Sequence, residues 1–81
     1  MPDTHIEIKY NEDDTEQVSK AQQLKEDFNE REPEIDVRLL AHNGTVVEAR
    51  LFKDDRSFIL LHAADKDLKI AHKRFEALKS I

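Results

Sequence analysis

The chain has 81 residues, 38% of them hydrophobic and 38% charged, and a net charge of −5. One domain with a lean core fits that length; two do not. With no cysteine, disulfides, thiolate metal sites and thiol catalysis are excluded. The acidic balance weighs against a general affinity for phosphate backbones. No apolar run reaches the roughly 18 residues of a membrane span. The opening MPDTHIEIKY has no signal-peptide pattern, so the chain reads as soluble and without routing information. Charge is unevenly spread: residues 11–34 sum to −6 and residues 65–81 to +2.

Thr4–Tyr10 alternates, with Ile6, Ile8 and Tyr10 on one side and His5, Glu7 and Lys9 on the other. That period of two predicts a half-buried strand. Asn11–Asp14 supplies N-cap candidates, and a helix follows from Thr15 to about Arg31. Its apolar stripe is thin (Val18, Ala21, Leu24 or Lys25, Phe28), so one face rests on a partner and the rest stays wet. Pro33 ends it.

Ile35–His42 and Val46–Phe52 alternate as a second and a third strand. A three-residue loop of His42, Asn43 and Gly44 joins them best. It sets Ile35 against Leu51, Val37 against Ala49 and Leu39 against Val47, with Asp36 facing Arg50 and Arg38 facing Glu48. A type I turn with a G1 bulge is therefore expected, with Gly44 at positive φ. After the polar break Lys53–Arg56, Ser57–Ala63 reads as a fourth strand, apolar on both sides. Leu68, Ala71, Phe75 and Leu78 then recur at helical spacing, with Asp65 or a neighbour as cap.

The order β-α-β-β-β-α predicts an α/β two-layer sandwich, a four-stranded mixed sheet with both helices on one face. A strand order following the sequence places the fourth strand at an edge; its apolar character also admits a place beside the first. The sheet's other face is then open. It carries Leu40, Val46, Arg50 and Phe52, joined by Phe58 and Leu60 if Ile59 and Leu61 point inward. Exposed aromatics beside arginines can stack nucleobases or meet a protein, including a second copy of the chain.

The last helix offers Lys66, Lys69, Lys73 and Arg74 as phosphate contacts for a nucleic-acid partner. His5, His42 and His62 alternate outward, and His72 stands four residues before Glu76. That spacing can hold a metal, but no second pair supports it, and ordinary exposed histidines are expected. Neither serine beyond the first helix sits in a nucleophile motif, no glycine-rich loop cradles phosphate, and the acidic runs read as a solvated helix start. No catalytic residue, metal ligand or cofactor site is legible, and no membrane partner is expected.

Three resemblances bear on these residues. Ala63-Ala64-Asp65-Lys66-Asp67-Leu68-Lys69-Ile70-Ala71 and the element order resemble the ribosome hibernation-promoting factor family, which implies a double-stranded-RNA-binding-like fold and a ribosomal partner. In that family both helices are basic; here the first is acidic. Ile6-Glu7-Ile8-Lys9-Tyr10 with the Gly44–Leu51 strand resembles selenoprotein W-like thioredoxin relatives. Their redox pair falls where this chain has Asn11-Glu12-Asp13-Asp14, and their first strand lies between the two that a tight hairpin would join. Finally, short loops, few special-φ residues, no Cys or Trp and helix surfaces of Glu, Lys and Gln are similar to computationally designed (de novo) α/β mini-proteins. That resemblance implies a stable scaffold without enzymatic activity. The alternative is a small binding module, ribosome-, RNA- or protein-associated, using the open sheet face.

Overall fold

The computed structural model describes residues 4–42, 47–62 and 65–79. The elements are β1 (Thr4–Tyr10), α1 (Thr15–Arg31), β2 (Asp36–Ala41), β3 (Glu48–Lys53), β4 (Arg56–Leu61) and α2 (Lys69–Leu78). They form one four-stranded mixed sheet in the order β2-β1-β3-β4. β1 runs parallel to β2 and antiparallel to β3, and β3 is antiparallel to β4.

The expected pairing of β2 with β3 is therefore wrong, because β1 lies between them. Ile6 meets Val37 on one side and Leu51 on the other; Ile8 meets Leu39 and Ala49. Flanked by two strands and covered by the helices, Ile6 and Ile8 lose all contact with water. At the sheet's edge their flanks would stay wet, and full burial of each contributes about 1.5–3 kcal/mol. The expected turn at Asn43 and Gly44 lies outside the described residues.

Insertion of β1 leaves the faces unchanged. Val37, Ala49 and Leu51 still point with Ile6 and Ile8 into one interior, joined by Ala21, Leu24 and Phe28 of α1 and by Ala71 and Phe75 of α2. Leu68 packs against the same cluster. Phe28 binds the two helices together, its ring 4.6 Å from His72 and edge-on to Phe75 at 5.6 Å.

Local signals explain the helix ends. Asp14 caps α1, its carboxylate accepting from the backbone N–H groups of Glu16 and Gln17. Gln17 reaches back to accept from Asn11 N–H at 2.9 Å. Asp67 rather than Asp65 serves the start of α2, accepting from Lys69 N–H at 3.0 Å.

Strand β4 departs from strict alternation. Leu61 pairs with Ala49 but Ile59 pairs with Arg50, so Leu60 is an extra residue in a bulge. Leu60 and Leu61 are consequently both buried, whereas Ile59 is 44% exposed. The β3–β4 link is a two-residue turn, and Asp54 holds φ 57° in it. That left-handed conformation costs an L-residue about 1 kcal/mol or more, less where Asp can bond locally.

Two outcomes follow for urea unfolding. Leu60→Ala lowers stability by about 2–5 kcal/mol, while Ile59→Ala changes it by less than about 1 kcal/mol. A strand without a bulge reverses that ranking. Asp54→Gly raises stability by about 0.5–1 kcal/mol, and Asp54→Val lowers it.

Candidate functional site: the open sheet face and the helix groove

The sheet face away from the helices is a mosaic of charges in rows. One row across the strands reads Asp36, His5, Phe52, Ser57; the next Arg38, Glu7, Arg50, Ile59; the third begins Leu40, Lys9, Glu48. Glu7 thus stands between two arginines, and Lys9 beside a glutamate. Each arginine is also held within its own strand. Arg38 Nε donates to Asp36 at 2.8 Å, and Arg50 Nε donates to Glu48. Opposite charges directly across strands contribute roughly 0.2–1 kcal/mol each, and the exposed same-strand pairs less.

His5 is only 8% exposed on this face. Its ring stacks flat on Phe52, with centroids 4.9 Å apart and planes 8° apart. Its Nε2–H donates to the Glu7 carboxylate at 2.8 Å. The expectation of an exposed histidine fails here because β3, by pairing with β1, brings Phe52 alongside.

Of the residues expected on this face, Leu40, Arg50 and Phe52 lie there, and Leu40 is 37% exposed. Val46 lies outside the described residues. Leu60 is fully buried because of the bulge, and Phe58 sits opposite Leu51, half-buried against the core. Neither belongs to the open face. Ile59 takes their place, a substitution that a period of two in an all-apolar strand conceals.

The basic residues of the last helix also divide. Arg74 is committed to the fold: Nη1 donates to the Leu60 carbonyl at 3.1 Å and to Asp65 at 2.6 Å. Asp65 in turn accepts from His62 N–H. The Arg74 guanidinium, with the His62 amide, holds the Asp65 carboxyl below the usual carboxylate range. Lys66, Lys69 and Lys73 are exposed. Lys69 and Lys73 line a shallow groove between the helices with Arg31, His72 and Glu76. Arg31 enters this group only through the docking of α1 against α2. Elsewhere, a cleft of about 360 Å³ opens at one end of the sandwich, floored by Ile35, Leu51, Phe75 and Leu78 and rimmed by Arg31 and Lys79.

His72 is buried, against the expectation of an exposed side chain. Position 72 extends the Leu68–Ala71–Phe75 stripe, a signal legible in the spacing alone. Its Nε2 stands 3.8 Å from Asp27, beyond a hydrogen bond, and burial together with the nearby Arg31 pushes its pKa down. Asp27 and Glu76 oppose that shift without cancelling it. Among the described residues no cluster of three His, Asp or Glu side chains could hold a metal ion, and no helix is long and apolar enough to cross a membrane.

Because the folded state disfavours His72 protonation, it binds fewer protons than the unfolded chain. Stability is therefore full above the ordinary histidine pKa near 6.5 and falls as pH drops through and below it. Urea midpoints measured between about pH 8 and pH 5 show this decline, and His72→Phe flattens it. A second titration checks the Asp65 network: Arg74→Ala moves the Asp65 carboxyl carbon titration, followed by NMR, up toward the ordinary carboxylate value.

No protein-family model, no curated protein and no solved structure matches this chain.

Proposed function

We propose that this chain is a non-enzymatic α/β scaffold of the idealised kind seen in designed mini-proteins, with no reactive or ligand-binding centre. The pairing on the open face carries the reading. Arg38, Glu7, Arg50, Glu48 and Lys9 alternate in sign along and across strands, so the face satisfies its own charges. Charges arranged in this way serve solubility and strand register. An RNA surface needs cations held ready for phosphate and aromatic faces open for stacking. Here Phe52 is already stacked on His5 and Arg74 already bound to Asp65.

A second reading, a protein-contact module, is favoured by one observation. Ile59 is 44% exposed beside Arg50, and Leu40 is 37% exposed at the opposite corner of the same face. In that reading Ile59→Glu removes the contact without disturbing the fold.

Fluorescence-labelled single-stranded and double-stranded RNA, titrated with the protein at low and at physiological salt, tests the scaffold reading against the RNA alternative. No saturable binding is expected at either salt. Binding that saturates and weakens steeply as salt rises overturns the scaffold reading.

A further inference from the structure

The two edges of the sheet end differently. At β4 the strand is bulged at Leu60, and the Arg74 guanidinium occupies the Leu60 carbonyl. Bulges and charged caps of this kind stop further strands from adding. β2 carries no such device. Among the described residues no strand pairs with its outer side, and it is unbulged along its pairing with β1. Its second half is apolar and progressively wetter: Leu39 is half-buried, Leu40 and Ala41 are exposed. An outer row of backbone N–H and C=O groups beside exposed apolar side chains is a template for another strand.

We infer that the strand that adds there is β2 of a second copy of this chain, antiparallel, with the two-fold axis at Leu39. The strand's own pattern selects this occupant. In parallel pairing in register, Asp36 faces Asp36 and Arg38 faces Arg38. Antiparallel pairing about Arg38 again opposes two guanidinium groups, and pairing about Leu40 opposes Arg38 and His42. Pairing about Val37 engages only Asp36 to Arg38 of each strand, because residues 33–35 turn away after α1. Pairing about Leu39 uses the whole strand. Leu39 meets Leu39 and Val37 meets Ala41 on the helix side. On the open face Leu40 lies along the aliphatic stem of Arg38, and Asp36 meets His42. No like charges stand directly opposite, and each contact off the axis occurs twice through the symmetry. The result is one continuous eight-stranded sheet with both open faces on the same side. This edge shares Leu40 with the open-face contact considered above but does not use Ile59, so Ile59→Glu tells the two apart.

Sedimentation velocity of the full chain, from micromolar to about millimolar, reads the association directly. The expected mass rises from 9.5 kDa toward twice that value. Leu40→Lys sets an ammonium against Arg38 and weakens the dimer at least tenfold, while Ile59→Glu leaves it unchanged; far-UV circular dichroism confirms that both variants fold. Because the chain has no cysteine, Leu39→Cys supplies a single thiol at the symmetry axis. Under mild oxidation it forms a covalent dimer faster than Ile59→Cys. A monomer at every concentration overturns the proposal. So does a dimer that Ile59→Glu disrupts and Leu40→Lys does not, which assigns the contact to the open face instead.

Discussion

Two isoleucines on the central strand hold the molecule together. Ile6 and Ile8 are cut off from water, flanked by β2 and β3 and packed in one cluster with core residues of both helices. Placing them there obliges the chain to run its second strand on one side of the first and its third on the other. The same placement sets Glu7 and Lys9 among charges of opposite sign on the reverse face. One burial requirement therefore fixes strand order, the seating of both helices and the electrostatic pattern of the surface.

Polar groups buried beside this core are handled in two ways. His5 keeps its place by a flat stack on Phe52 and a hydrogen bond to Glu7. His72 sits against Phe28, with Asp27 too distant to bond it, and burial pushes its pKa down. The first arrangement gives the ring's Nε2 a carboxylate partner; the second leaves Nε2 buried at a cost, which a well-packed apolar residue at the same place removes. Lys79, bridging Glu32 at 2.8 Å and lying over the Phe75 ring at 5.4 Å, ties the end of α2 to the end of α1 and completes the helix layer.

Much of this was readable from residue order. Period-two alternation in β1, β2 and β3 assigned each side chain to its correct face, and helical spacing found Ala21, Phe28, Ala71 and Phe75. Lateral order was not readable, because alternation records which side a residue takes and not which strand stands next to it. Inserting β1 between β2 and β3 preserves every face, so both orders write the same pattern. The bulge at Leu60 was hidden for a related reason: in Phe58-Ile59-Leu60-Leu61 all residues are apolar, and no polar residue marks where the alternation breaks. Arg74 looked like a free cation because its partners, Asp65 and the Leu60 carbonyl, come near only through the packing of α2 on β4.

The guanidinium seated on the Leu60 carbonyl also limits how large any assembly built from this sheet can grow. A fibril needs both flanks of every subunit to accept a neighbour, and here one flank is occupied by the molecule's own arginine. Whatever docks on the opposite flank, a strand adding at this one must first displace that arginine. Loss of the Arg74 side chain then carries a second hazard beyond a weakened loop, since it reopens the side that keeps a stacked-sheet aggregate from propagating.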